Sequence, residues 1–165
     1  MNPPDDNRPK PTGKMFVEGQ PLYDIDAPVS RERFLALSRN YLAILKKNLL
    51  KLRAEGATGT SYVRAYSHIV DAIVGVLFQR AAQEHAAEPR SIDIAVIGMG
   101  GYGRAELAPY SDADILVLCK RKTRLIKKIA ESFVQLMWDV GFELGHTVQS
   151  LVESESTLAR HMDSR

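Results

Sequence analysis

The sequence predicts an α/β (α+β) chain: an N-terminal helical hairpin followed by a small mixed β-sheet. Three observations carry this. Two long stretches before residue 90 repeat their apolar residues at steps of three and four, the spacing of one helix face. Two short β-branched runs, Ile92–Ile97 and Ala113–Cys119, flank a glycine cluster. The stretch joining these runs is short for a parallel crossover, which usually carries a full helix.

The elements follow in order. Residues 1–27 hold Pro3, Pro4, Pro9, Pro11 and Pro21 among few apolar residues. Such a segment buries too little surface to offset its ordering entropy and is expected to be a flexible lead-in. Residues 28–165 are expected to form one domain that is cut short at its C-terminus. The first helix spans about Ser30 to Ala54, with Phe34, Leu37, Tyr41, Leu45, Leu49 and Leu52 as its stripe. Ser30 suits the N-cap and Gly56 the stop. The second helix spans about Ser61 to Ala87, on Val63, Tyr66, Val70, Ile73, Leu77 and Ala81. The short Gly/Thr connection makes the two antiparallel.

The strand at Ile92–Ile97 ends at Gly98. A glycine turn and a short helical piece ending at Pro109 follow. The second strand, Ala113–Cys119, is apolar on both faces past Asp114 and is expected to be centrally buried. A basic stretch from Lys120 to Lys128 opens a helix that carries Ile129, Phe133, Leu136, Met137 and Val140, with Met137 and Trp138 expected in the core. Gly141 stops it. A third strand at Phe142–Leu151 and the start of a helix at Val152–Arg160 complete the chain.

Composition narrows the function. The chain has 165 residues, 45% hydrophobic and 25% charged, and a net charge of +2. That charge does not make the concentrated basic face of a nucleic-acid binder. The N-terminus lacks the apolar core of a signal peptide, and no apolar run reaches the roughly 20 residues of a spanning helix. The single cysteine, Cys119, permits no internal disulfide. A cytoplasmic location is expected, with no membrane and no nucleic acid as partners.

The chemistry concentrates in residues 98–118, GMGGYGRAELAPYSDADILVL. Gly98, Gly100, Gly101 and Gly103 directly follow a strand, where glycines let a ligand come close to the backbone and N–H groups face phosphate oxygens. Asp112 and Asp114 stand at the mouth of the next strand. Side chains alternate with period two, so the two carboxylates share a face and suit one hard cation or two adjacent ones. The glycines end one strand and the aspartates begin the next. The two groups meet only if those strands run antiparallel.

The run Gly98-Met99-Gly100-Gly101-Tyr102-Gly103 also matches the G-x-G-x-x-G dinucleotide fingerprint. A dinucleotide fold then needs a full helix before the next strand. Only eight residues lie between Gly103 and Asp112, Pro109 among them. Where a ribose-binding acid belongs, the chain offers Lys120, Arg121 and Lys122. That reading is set aside.

Met99-Gly100-Gly101, ten residues, then Asp112-Ala113-Asp114-Ile115 resembles the signature of the polymerase-β-like nucleotidyltransferases. The longer run GGYGRAELAPYSDADILVL resembles the opening of the catalytic domain in the bacterial PII-protein uridylyltransferase/uridylyl-removing family. The stretch from Leu136 through Trp138, Gly145 and His146 to Val148 resembles that domain's continuation. The resemblance implies transfer of UMP from UTP to a tyrosine of the PII nitrogen-signalling protein. Asp112 and Asp114 would then be the catalytic residues and hold Mg2+. Gly100, Gly101, Arg104 and Ser111 would bind the nucleotide phosphates, with an ion pair to Glu106 as the other reading of Arg104. The superfamily commonly adds a third carboxylate; Glu143, Glu153 and Glu155 are the acids in reach, and none matches a motif. The family usually has glycine where Ala105 stands and a larger aliphatic residue where Ala113 stands. Two alternatives stay open: a catalytically inactive fragment with a binding or regulatory role, and an adenylyltransferase of the glutamine-synthetase type.

Overall fold

A computed structural model describes residues 14–17, 20–24, 29–86 and 92–156. The described elements are β1 (Lys14–Val17), β2 (Gln20–Asp24), α1 (Arg31–Ala54), α2 (Gly59–His85), β3 (Ile94–Gly98), α3 (Gly100–Gly103), β4 (Ala113–Cys119), α4 (Arg124–Val140) and β5 (Leu144–Ser150). A helical turn at 151–156 follows β5. The rest of the helix expected to run to Arg160 lies outside the described residues.

β1 and β2 pair antiparallel, with Lys14 opposite Asp24. Part of the stretch expected as a flexible lead-in is therefore a hairpin, and it lies beside α1 and α2.

α1 starts where Ser30 takes an extended backbone and its hydroxyl accepts the Arg33 N–H. Phe34, Tyr41 and Leu49 of its expected stripe are buried, and Ser38 and Leu42 join them. Leu52 is exposed, because the stripe outruns the body it packs on. α2 buries Tyr66, Val70, Ile73, Leu77 and Ala81 as expected. Arg31, at the start of α1, pairs with Glu84, near the end of α2, so the hairpin is antiparallel. α4 is capped by the Thr123 hydroxyl, which accepts the Ile126 N–H, and ends at Gly141 with φ of +100°. Phe133 of α4 meets Phe78 of α2 edge-to-face, ring centroids 5.6 Å apart. One core holds all of this, with Phe34, Leu77, Ile129, Phe133, Leu136 and Met137 fully enclosed.

Glu84 ties the three long helices together. Its carboxylate accepts from Arg31 Nη1 at 2.9 Å, Arg80 Nε at 3.1 Å and Ser132 Oγ at 2.9 Å. Arg80 also lies over the Phe34 ring, 5.3 Å from its centroid. Glu84→Gln is expected to lower stability by about 1–2 kcal/mol. In urea unfolding the midpoint should fall with the slope unchanged. Glu131→Gln, which loses only an exposed pair with Lys127, should change stability by less than about 0.5 kcal/mol.

The sheet has the order β3-β4-β5. β3 runs antiparallel to β4, with Gly98 opposite Ile115. β5 runs parallel to β4, with Asp114 opposite Gly145. The mixed sheet and the short connection are as the sequence predicts.

β4 is central in the sheet but not buried on both faces. Ala113, Ile115, Val117 and Cys119 are buried, whereas Asp114 is exposed and Leu116 and Leu118 are half-buried. Among the described residues the helices cover one face only, which corrects the expectation of a strand enclosed on both sides. Ala95, Ile97, Leu116, Leu118 and Thr147 occupy the other face, with Asp114 at one end.

Trp138 departs from expectation too. Met137 is fully buried but Trp138 is 51% exposed, packing edge-on against His146 of β5. With Ile126, Ala130, Val134 and Val148 they line a groove of about 630 Å³ beside the sheet edge. The apolar stripe of α4 is wider than the sheet it covers. Among the described residues, no helix is long and apolar enough to cross a membrane.

Candidate functional site

The antiparallel β3–β4 pair brings the glycine turn and the aspartates to one end of the sheet. The Met99 N–H donates to the Asp114 carbonyl at 2.8 Å, closing the pair where the turn leaves it. This geometry also disposes of the dinucleotide fingerprint, which requires a parallel crossover. The helical piece expected to end at Pro109 lies earlier, as the single turn α3 within the glycines themselves.

Two glycines are shaped to Asp114. Gly100 has φ of +51°, a region side chains rarely enter, and a Cβ there would lie 3.3 Å from Asp114 Oδ2. Gly145, on the neighbouring strand, would bring a Cβ to 2.5 Å from Asp114 Oδ1. The Asp114 carboxylate thus sits between two backbones stripped of side chains. The sequence reading missed Gly145: it stands 31 residues downstream of Asp114, and only the parallel register brings it alongside.

Asp112 lies one residue before β4 and is exposed, as is Asp114. Among the described residues neither carboxylate has an ion-pair partner. Two like charges at one strand mouth, with no cation among the described residues to offset them, are a donor set suited to a hard divalent ion.

The remaining predicted residues lie along the segment between β3 and β4. Gly101 is in α3, and its carbonyl accepts the Glu106 N–H at 2.8 Å. Arg104 follows α3 and pairs with Glu106, Nε to Oε2 at 2.9 Å, with both side chains more than half exposed. Ser111 is exposed at a bend, its N–H donated to the Ala108 carbonyl at 3.0 Å.

No three of His, Cys, Asp or Glu gather at a point among the described residues. Glu153 lies past the far end of β4 and β5, where Lys122 and the Ser150 N–H and hydroxyl hold it. The Lys122 bond, more than the Ser150 bonds, draws its carboxyl down to about 2. Five residues of β4, Ile115 to Cys119, separate that end from Asp114, roughly 17 Å of strand. Glu143 is at the correct end; its carbonyl accepts the Ala113 N–H at 3.1 Å. Cys119 is buried, which pushes its thiol up and keeps it unreactive.

The turn itself is fastened to α2. The Tyr102 hydroxyl donates to Asp71 Oδ1 at 2.8 Å, and the Leu107 N–H donates to Ser67 Oγ at 3.1 Å. Burial, then the Asp71 charge, pushes the Tyr102 phenol well above its ordinary range.

Ala105 has φ of +56°. An alanine in that region costs roughly 1–2 kcal/mol, against a smaller entropic cost for glycine. Ala105→Gly is expected to stabilise the chain by about 1 kcal/mol, read as a rise of a few degrees in Tm. The resemblance leads one to expect glycine here, and the backbone gives that expectation a physical reason.

Comparison with known proteins agrees with this arrangement. A family model described as glutamate-ammonia ligase adenylyltransferase matches residues 38–147. The chain is 33% identical over 138 residues to a bifunctional uridylyltransferase/uridylyl-removing enzyme of Azotobacter vinelandii, covering 79% of this chain and 15% of the relative. It is 34% identical over 146 residues to the one of Rhodospirillum rubrum, covering 80% and 15%. For that of Hydrogenovibrio crunogenus the values are 29% over 146 residues, covering 88% and 15%. The chain therefore spans about one-seventh of the length of these curated relatives. No solved structure matches it. With the family model covering two thirds of the chain and the glycine turn and paired aspartates inside the match, the chain belongs to the glutamate-ammonia ligase adenylyltransferase family of nucleotidyltransferases.

Proposed function

We propose that this chain is the nucleotide-binding end of a PII-protein uridylyltransferase, transferring UMP from UTP to a tyrosine hydroxyl of PII and releasing pyrophosphate. The observation that carries the proposal is the pair Asp112 and Asp114 at the start of β4, exposed and without a basic partner among the described residues, with Gly100 and Gly145 leaving room at Asp114. The curated relatives bear the uridylyltransferase name.

The roles follow from the chemistry. Asp112 and Asp114 would hold Mg2+, which when bound neutralises triphosphate charge and favours the ionised form of the attacking hydroxyl. The tyrosine oxygen attacks the α-phosphorus in line, the bond to the bridging oxygen breaks, and pyrophosphate leaves. Gly100 and Gly101 admit the triphosphate to the backbone. The Ser111 hydroxyl, exposed one residue before Asp112, would donate to a phosphate oxygen. Arg104 gives up little by turning to phosphate, since an exposed pair such as Arg104–Glu106 is worth about 0–1 kcal/mol. Its planar fork matches phosphate oxygens.

Two other readings have an observation behind them. Adenylyl transfer is favoured by the name of the family model. A binding or regulatory role without turnover is favoured by the lack of a third acid beside the pair among the described residues. One experiment separates the three: the chain is incubated with Mg2+, purified PII and purified glutamine synthetase, with labelled UTP and labelled ATP in parallel. Label passing from UTP to PII is the expected result. Label passing from ATP alone favours adenylyl transfer, and nucleotide binding without transfer favours the regulatory role.

A further inference from the structure

α2 does more than fill the core. Ser67 and Asp71 lie one helical turn apart on it, and both reach the segment that follows the glycines. Between their partners, Tyr102 and Leu107, stand Gly103, Arg104, Ala105 and Glu106. The other bonds of this segment are internal: Gly103 N–H to Met99 carbonyl, Ala105 N–H to Tyr102 carbonyl, and Glu106 N–H to Gly101 carbonyl. A single helical turn has no stability of its own. Its position relative to Asp114 must come from contacts outside it.

We propose that Ser67, Asp71 and Tyr102 are positioning residues that hold the glycine turn in the place where it receives the triphosphate. This rests on the nucleotidyl-transfer reading above.

The side chains chosen argue for this beyond packing. The Tyr102 ring lies against Gly98, where a Cβ would be 3.1 Å from it. For filling that space a phenylalanine serves equally well. The hydroxyl adds a directed bond to Asp71, a residue of another element. Ser67 is 1% exposed, and its hydroxyl is used in both directions, donating to the Val63 carbonyl at 2.9 Å and accepting the Leu107 N–H. An alanine there would strand the N–H of a buried residue. His68 Nδ1, 3.8 Å from Asp71 Oδ2, is the other group facing that carboxylate, and both are largely exposed. The buried bond at Ser67 and the half-open one at Asp71 therefore fix the two ends of the segment that carries Arg104.

Tyr102→Phe keeps the ring and removes the bond. Amide hydrogen exchange and Mg2+–UTP titration of the full chain read the consequence. Exchange at Gly103, Ala105 and Glu106 should quicken about tenfold, with the amides of α1 and α4 unchanged. Affinity for Mg2+–UTP should fall roughly five- to tenfold. Asp71→Asn retains an acceptor oxygen and should stay near wild type in both readouts, while Asp71→Ala should behave as Tyr102→Phe does. Equal acceleration across α1 and α4 would mean a general loss of stability and overturn the proposal. So would unchanged exchange at the turn, or a loosened turn with full affinity. If the wild-type chain itself fails to bind Mg2+–UTP, the nucleotide reading falls and takes the functional half of the proposal with it. Local exchange still decides the tether.

Discussion

Asp112→Asn/Asp114→Asn is expected to weaken Mg2+–UTP binding at least a hundredfold without lowering Tm. The two carboxylates are exposed and have no cationic partner among the described residues, so their charge contributes no attraction to the fold. A divalent ion beside them would interact with each unit charge by about 8 kcal/mol at 4 Å and an effective dielectric constant of 20, twice the figure for a pair of unit charges. A hundredfold loss, about 2.7 kcal/mol, is a cautious share of that. The sign reverses without metal. With the divalent ion chelated, the wild-type carboxylates repel the triphosphate, so the double variant should bind free UTP as well as wild type or better. Calorimetric titration in both conditions checks the pair of outcomes. A variant that merely unfolded would lose binding in both and show a lowered Tm.

The largest expected effect on stability is at Gly103. A Cβ there would lie 2.5 Å from the Gly98 carbonyl oxygen and 3.0 Å from its carbon. Both obstacles are backbone, held by the β3–β4 ladder, so neither can rotate aside. Gly103→Ala should cost about 3 kcal/mol. The loss should appear in urea unfolding as a lowered midpoint. Gly145→Ala presses instead on a side chain, Asp114 Oδ1, which can turn. It should leave Tm within a few degrees of wild type while displacing an oxygen proposed to hold the metal and weakening Mg2+–UTP binding. The two substitutions look alike on paper and should part in these two readouts.

Much of this was legible in the sequence, and the physical reasons are specific. Ser30 and Gly141 bound their helices because capping is a local matter of one side chain or one backbone angle. The antiparallel β3–β4 pair followed from the length of its connection. What escaped was set by the partners of an element rather than its own pattern. β4 is apolar on both faces, yet only the alternate set beginning at Ala113 is covered, since coverage depends on where the helices dock. Trp138 belongs to the apolar stripe of α4 but overhangs the sheet edge. Gly145 and Asp71 lie far from the motif along the chain, and register and packing bring them to it. Ala105 was visible only as a departure from the family's glycine; its positive φ supplies the reason that departure has a cost.

The central claim is that the metal and the triphosphate meet at the mouth of β4. Paramagnetic broadening by Mn2+, which shares the oxygen-ligand preference of Mg2+, tests it directly in the amide spectrum of the chain with UTP present. Broadening is expected to centre on Gly100, Gly101, Asp112 to Asp114 and Gly145, to be abolished in Asp112→Asn/Asp114→Asn, and to fade toward the Lys122–Glu153 end of the sheet. Broadening centred on Glu153 at the far end of the sheet, or no localised broadening at all, would contradict it.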